Sequence, residues 1–557
     1  MVFSEFLMTG VSTFVAVTVG VITIACIFLK WRFGYWRRAG VSYVEPTIPF
    51  GNLKDSFLGR RHIAYALQDI HNSIGDKPYG GIYLFFKPAV VLKEPQLIRD
   101  CMVKKFASHF QHRIANAHET MDPLLYKNVF MARGERWRTL RNHISPTFTS
   151  GKMKMMFHLV KEKAEVMADQ IEIALRNKGQ TIDMKELLAL YTTDVISSCA
   201  FGIETNSLKD PKNEFRLMGK KLFLLDFKHL LNTLIIFVFP SFVKLTGAVF
   251  IQPDVTAFFR KVVWDVVSER ESKGIFRGDF IDLLIQLKNT GQVQDTDTKE
   301  NPVANGHDGN GNGLNNGRME ETNKTSPAVK SADRVLKSFE GDDFVSQVVL
   351  FFGAGFETSS TTGSFALFEL AANPEVQDRL AEELDATLNE FGGKFSYEAV
   401  QGMRYLDMVV NETLRKYPPL AVLDRECIQD YHNEEYNLHV PKGMAVMVSL
   451  FGLHKDPKYF PDPERFDPER FSEENVKNIP NYVYMPFGEG PRNCVGMRFG
   501  VMQTKVGLAY LLSRFRVQLP EKLKGVRSLP LDPRIFVLGV KDGIPLVVSR
   551  RKQRADD

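Results

Sequence analysis

From Leu7 to Leu29 the chain carries no charged side chain. A helix rises ~1.5 Å per residue, so ~20 such residues cross a bilayer core, and the stretch predicts an N-terminal transmembrane helix. The run exceeds the ~7–15-residue core of a cleavable signal, and Lys30, Arg32, Arg37 and Arg38 follow it, so a retained anchor is expected rather than a signal peptide. Basic flanks stay on the cytoplasmic side, which puts the N-terminus in the lumen and everything after Lys30 in the cytosol. Pro46 and Pro49 in EPTIPFGN stiffen an extended link. The expected organisation is an anchor over residues 1–30, a basic, proline-rich connector over 31–50 and a large body over 51–557.

In the body, GGIYLFFKPAVVLK (Gly80 to Lys93) reads as strands, and most later segments carry helical periodicity. The fold class predicted is mainly α with a small β part. Phe344 to Leu370 reads as one long apolar helix. Leu230 to Leu245, LLNTLIIFVFPSFVKL, is short for a membrane span and broken by Pro240, and fits core packing and shallow membrane insertion alike. Gly291 to Ser338 has almost no large apolar residues and is expected to be a disordered insertion.

Composition narrows the function. The chain has 557 residues, 44% hydrophobic and 25% charged, and 71 Lys+Arg against 66 Asp+Glu leave a net charge of +5, too small a surplus for a nucleic-acid binder. Five scattered cysteines with no CxxC pair suggest neither a disulfide framework nor a zinc site, and fit a reducing compartment.

One of those cysteines has unusual neighbours. In PFGEGPRNCVGMRFG, Gly488 and Gly490 permit turns other residues resist, and Gly496 removes a side chain where something flat could press close. The helical pattern that follows sets Cys494 at a helix N-terminus, where unpaired N–H groups favour a thiolate. A thiolate metal ligand explains the glycines, whereas simple burial does not. In NETLRKYPP, Glu412 and Arg415 share a helical face. In GERWRTLRNH, Trp137 and Arg141 lie one turn apart. In FFGAGFETSSTT, Gly355, Glu357, Thr358, Ser359 and Ser360 are costly inside an apolar helix, and Thr358 can bond back to the carbonyl of Ala354, loosening a turn.

FGEGPRNCVG resembles, at every fixed position, the haem-binding signature FxxGxRxCxG of the cytochrome P450 family. The resemblance covers nearly all of Pro46 to Val548 and is nearest to the microsomal xenobiotic oxidases of insects and vertebrates. It implies the cytochrome P450 fold for residues 51–557, haem b as cofactor and Cys494 as the axial iron ligand, with Phe487 and Gly488 beside the haem. It implies that Trp137, Arg141, Arg425 and Arg492 hold the haem propionates, arginine's planar fork suiting a carboxylate. It makes Glu412 and Arg415 part of a Glu-Arg-Arg structural triad. Its third member is Arg470 by spacing from Cys494, with Arg465 as the other candidate because the PERF element is repeated. Glu357 and Thr358 resemble the acid-alcohol pair that delivers protons during oxygen activation. The reaction implied is monooxygenation of a small apolar substrate, xenobiotic or endogenous lipid or hormone, with O2 as co-substrate. NADPH would act through a separate flavoprotein reductase, since no GxGxxG fingerprint follows a strand here. A cytochrome b-type protein is a further donor, and Arg133, Arg136, Arg138, Lys152 and Lys154 are candidates for a docking face. The location implied is the endoplasmic reticulum membrane, single-pass, with lipid as a partner. Two rivals remain at this level: a haem-thiolate isomerase or dehydratase, which needs no oxygen-activating alcohol, and a membrane-tethered haem sensor, which needs neither that pair nor a reductase.

Overall fold

The computed structural model describes residues 2–177, 180–222, 227–291 and 339–551. The insertion expected at 291–338 lies outside the described residues beyond Gly291. The architecture is mainly helical, with three small sheets among the described residues.

The chain opens with a helix, Val2–Phe33. Within it Thr13–Phe33 is long and apolar enough to cross a membrane, and its apolar window is not covered by the rest of the protein. Its end does not lead into a free connector. Phe33 and Trp36 are buried, the Trp36 indole donates to the Ile82 carbonyl at 2.9 Å, and the Tyr83 hydroxyl donates to the Phe33 carbonyl at 2.7 Å. The 31–50 segment, expected as a connector, is therefore docked on the body from its first turn. Its aromatic residues decide this, because burying an indole outweighs the solvation of the arginines around it.

The strands β1 (Tyr79–Leu84) and β2 (Lys87–Leu92) are the antiparallel hairpin on which Trp36 rests. Beside β2 runs β7 (Ala445–Ser449), parallel to it, and then β4 (Val422–Glu426), antiparallel to β7. Alternation along β4 buries Leu423 and Arg425 on the same face, which commits a guanidinium to the interior. A three-stranded sheet joins β3 (Thr181–Asp183), β9 (Pro545–Arg550) and β8 (Phe515–Gln518), and among the described residues β5 (Tyr431–Asn433) pairs only with β6 (Leu438–Val440).

The centre of the body is the helix Asp342–Ala372. Asp342 and Asp343 occupy its first turn, where carboxylates offset the positive helix end, and Pro374 after Asn373 prevents continuation. It packs against the helices Pro123–Lys127, Met184–Ile196, Arg404–Lys416 and Met497–Arg514. Its side chains are buried almost throughout, and Leu350, Ala354 and Thr358 are less covered. Those three stand four residues apart, on one face, and that face fronts a cavity.

The Leu230–Leu245 region is divided between core and surface. Ile236, Val238 and Val243 are buried, while Leu231, Phe242 and Leu245 are exposed, the last at 81%. The segments Lys228–Val238 and Pro240–Thr246 meet at 113°. At the bend, Phe239 packs on Phe85 and Phe86 of the β1–β2 turn, and Phe86 packs edge-on against Phe28 of the N-terminal helix.

If Trp36 belongs to the core, Trp36→Ala should lower unfolding stability by about 3–5 kcal/mol, the usual loss for a buried tryptophan. Removing residues 1–30, which ends before Phe33, should leave it nearly unchanged. Denaturant titration of the full-length, substituted and truncated proteins measures both.

Candidate active site

Two main-chain turns fix Cys494. Gly488 and Gly490 both adopt φ +72°, and a Cβ on Gly490 would lie 2.0 Å from the Met102 carbonyl oxygen, so glycine is obligatory there. The Cys494 N–H donates to the Phe487 carbonyl at 2.8 Å, closing the loop that begins at Phe487. The helix Met497–Arg514 follows, with Gly496 as its N-cap. A Cβ on Gly496 would meet nothing nearer than a ring carbon of Phe148 at 3.8 Å. No protein neighbour requires glycine at that point, whereas a flat group lying against the loop would.

The sulphur lies deep in the molecule yet is open to a water-sized sphere, so it faces a hollow rather than packed side chains. Burial pushes the Cys494 thiol up, and the Gly496 N–H, Arg141 and Arg113 pull it back. A metal ion deprotonates a coordinating thiol outright.

Beside this hollow the charges do not balance. Arg113 pairs with Asp424 at 2.9 Å and Arg133 with Glu426 at 2.8 Å. Arg425 and Arg492 are buried with no carboxylate of their own: Arg492 donates to the carbonyls of Phe130 (3.1 Å) and Ala132 (2.5 Å), and Arg425 to that of Asp424 (2.7 Å). The Nε donors of Arg113, Arg133, Arg425 and Arg492 have no acceptor among the described residues. Burial and then the Arg113 charge lower Arg492 to about 8 and Arg425 to about 10. Four guanidiniums against two carboxylates leave two positive charges in the interior, an arrangement that calls for a dianion. Haem b carries two propionates. The residues therefore fit the group: a sulphur facing a hollow, a glycine that leaves room for a flat ring, and an arginine excess matching its charge.

Trp137 and Arg141 turn to different partners. The Arg492 guanidinium stacks over the Trp137 ring at 4.7 Å, whereas Arg141 grips Asn493 through its carbonyl (2.8 Å) and side-chain oxygen (2.6 Å). Arg141 thus braces the cysteine loop. Arg113, in the irregular stretch QHRIANAH, carries no local signal. Its long-range pairing with Asp424 makes it part of the site, and the clue was the adjacent Asp424 and Arg425 inside an apolar strand.

In the long helix the Thr358 hydroxyl donates to the Ala354 carbonyl at 2.5 Å, the back-bond that competes with the helix ladder. Glu357 points elsewhere, to Lys185 Nζ at 2.7 Å, and that ammonium also reaches the hydroxyls of Ser360 and Thr361 at 3.1 Å. Acid and alcohol are therefore not in direct contact. Gln503, from the helix that follows Cys494, donates to the Gly355 carbonyl at 2.8 Å and to Ser359 Oγ at 2.5 Å, tying the two helices together. Thr358 lines a cavity of about 190 Å³ whose other walls include Phe130, Met131, Leu350, Phe237 and Phe536.

Below the cysteine loop, Arg415 forms a bidentate pair with Glu412 at 2.7 and 2.8 Å, both fully buried. Arg470 approaches the same carboxylate at 3.5 Å. Arg465 is 68% exposed and turns to Asp467 at 3.7 Å, so only the later PERF arginine reaches Glu412.

The basic residues expected at a docking face are placed differently from one another. Lys152 is buried, Arg133 is spent on Glu426 and Arg136 on Asp343, and the exposed Arg138 and Lys154 are paired with Glu135 and Glu398. Carboxylates distant in sequence hold Arg133 and Arg136, and a local charge run does not show them.

This fold and site define a haem-thiolate protein. A profile for cytochrome P450 matches residues 45–308 and 321–542. Over 525 residues, covering 94% of each chain, the sequence is 44% identical to cytochrome P450 6k1 of Blattella germanica. It is 38% identical over 520 residues to cytochrome P450 9e2 of the same insect, covering 90% of this chain and 91% of that one. To cytochrome P450 6a2 of Drosophila melanogaster it is 37% identical over 529 residues, covering 93% and 96%. The chain belongs to the cytochrome P450 family. It is a haem-thiolate monooxygenase of the insect type, with haem b as cofactor, O2 as co-substrate and NADPH electrons delivered through a reductase.

The triad geometry makes a sharp distinction. Arg415→Ala leaves a carboxylate buried and should cost about 3–5 kcal/mol with loss of haem content. Arg465→Ala should change stability by less than about 0.5 kcal/mol. Arg470→Ala should fall between them, and thermal unfolding with haem quantification ranks the three.

Proposed function

We propose that Cys494 Sγ is the axial ligand of the haem iron, with Phe487 and Gly488 forming the near edge of its cradle. Arg425, Arg492 and Arg113 bind the propionates, Trp137 supplies an indole N–H and a ring under Arg492, and Arg141 holds the cysteine loop. Glu412, Arg415 and Arg470 brace the same region from below. Bound haem supplies oxygen activation and the insertion of one oxygen atom into the substrate. The protein then contributes proton supply and exclusion of water: the Thr358 hydroxyl holds a proton at the cavity wall, and Glu357, restrained by Lys185, replenishes it through water.

The observation that carries the substrate class is the cavity. Apart from Thr358, Asn128 is its one polar lining residue among the described residues, and that amide bonds within the protein, donating to the Leu124 carbonyl (3.0 Å) and accepting from the Met131 N–H (3.0 Å). A substrate held there is bound by shape and apolar contact, which suits a small apolar molecule, xenobiotic or endogenous. We place the protein in the endoplasmic reticulum membrane as a single-pass chain with its body in the cytosol, drawing electrons from a flavoprotein reductase and from a cytochrome b-type donor. Residues 1–30 form the anchor, the 31–50 connector docks on the body through Phe33 and Trp36, and residues 51–557 form the catalytic unit. Phe28, Trp31, Phe242 and Leu245 are exposed on parts of the chain linked through Phe86 and Phe239, and this supports a second, shallow contact with lipid.

Two variants test the chemistry. Cys494→Ala should abolish the red-shifted carbon-monoxide band of thiolate-ligated haem. Cys427→Ala should keep it, because that thiol is buried and donates to the Gln429 carbonyl at 2.9 Å. Thr358→Ala should leave haem binding intact, lower oxidised product per NADPH and release the missing electrons as hydrogen peroxide. General acid assistance is typically worth ~10²–10⁴-fold, and Thr358→Ser should recover part of the loss. Unchanged coupling in the alanine variant would remove Thr358 from the mechanism.

The lipid contact is tested by a chain beginning at Trp31, which keeps Phe33 and Trp36. It should bind vesicles partly, and Phe242→Ser with Leu245→Ser should release it. Equal binding with and without these substitutions in a flotation assay would exclude the contact.

A further inference from the structure

We propose that His432 and His439 form a surface site for a divalent transition-metal ion. The two residues are directly opposite in the antiparallel β5–β6 register. Their rings are stacked with centroids 4.1 Å apart and planes 8° from parallel. Both are exposed, and neither ring makes a hydrogen bond within the described residues. Neighbours across an antiparallel pair present side chains ~4.5–5.5 Å apart at Cβ, and two imidazoles at that spacing turn their lone pairs to a common point by small rotations about the Cβ–Cγ bond. Zinc takes histidine nitrogen at ~2.0–2.1 Å, with water completing the shell. Asp430 and Glu434 flank His432 two residues away on either side. Asp430 already accepts the Lys442 N–H at 2.8 Å.

The support beneath the pair is firm. On the inner face Tyr431, Leu438 and Val440 are buried. The Tyr431 hydroxyl donates to Asp100 at 3.0 Å, and its ring meets Phe110 edge-on at 5.1 Å. The imidazoles thus stand on a surface that cannot easily slip in register. No group of three or more His, Cys, Asp or Glu suited to a metal is found among the described residues, so the site is bidentate, with positions left to water. Such a site holds an exchangeable ion. It also bridges the two strands of a sheet that has no third strand among the described residues. Metal binding to the folded pair therefore stabilises the ribbon.

The test uses the full-length, haem-loaded protein without an affinity tag, titrated calorimetrically with zinc chloride and with copper(II) chloride. His432→Gln and His439→Gln should each weaken the tightest site at least tenfold. The double variant should be no weaker than either, and copper should bind tighter than zinc. His158→Gln, at an exposed histidine elsewhere, should bind as wild type does. Saturating zinc should slow amide exchange at residues 431–440 in the wild type and in neither single variant. Wild-type affinity in either single variant, or zinc-independent exchange at the hairpin, would overturn the proposal. Haem content serves as the control that each variant is folded.

Discussion

The arrangement on which the site depends is an uncompensated positive charge in the interior. Arg113, Arg133, Arg425 and Arg492 share Asp424 and Glu426, and like charges in a low dielectric repel strongly. Each guanidinium comes from a different part of the chain: Arg425 from β4, Arg492 from the cysteine loop, Arg133 from the approach to the Gly134–Ile144 helix, and Arg113 from the irregular stretch before it. The sheet, the loop and that stretch must all be correctly placed for the cluster to exist. It is tolerable only because carbonyls of Phe130, Ala132 and Asp424 accept some of the donors. A dianionic group that binds this state and not the unfolded chain stabilises the fold by mass action. Folding and haem loading are then two readings of one balance.

The long helix Asp342–Ala372 answers a different constraint. A helix buried on nearly every face cannot accommodate polar side chains without partners, and each polar group here has one. Thr358 turns back on Ala354, Glu357 meets Lys185, and Ser359 and Gly355 meet Gln503. The Gln503 link has structural weight because it joins the helix behind the cysteine to the turn that carries Thr358. Glu357 and Thr358 are adjacent in sequence but face apart, so water has to complete any path between them, and Lys185 sets how freely the carboxylate moves.

Much of this was legible where chemistry is local. The Cys494 loop, the Glu412–Arg415 pair and the Thr358 back-bond all act over at most a few residues, and sequence spacing shows such contacts. Lys185 meets Glu357 across 172 residues and Arg113 meets Asp424 across 311, and spacing says nothing of those. The same blindness made Arg133, Arg136 and Lys152 look like a surface charge run. Trp36 carries no local sign of burial, and only its fit against Ile82 shows it to be core. The doubled PERF element illustrates the limit well, since both arginines match the pattern and only the path of the backbone turns Arg470 rather than Arg465 toward Glu412.

The cavity and the membrane face meet in a single bent segment. Phe237 lines the cavity beside Phe536, Phe239 at the bend packs on the hairpin beneath the N-terminal helix, and Phe242 and Leu245 beyond it are exposed. On the proposed orientation, apolar molecules concentrated in the bilayer lie a few residues from the wall of the site that oxidises them. A hydrophobic site discriminates one methylene by only ~1–3 kcal/mol, and it rejects strongly only where it has been built to satisfy a particular polar group. With Asn128 satisfied by the backbone and Thr358 bonded to Ala354, no such group is offered here. On the proposed reading, breadth toward apolar substrates would follow from that scarcity of polar handles, with selectivity set by the bulk of Phe130, Phe237 and Phe536.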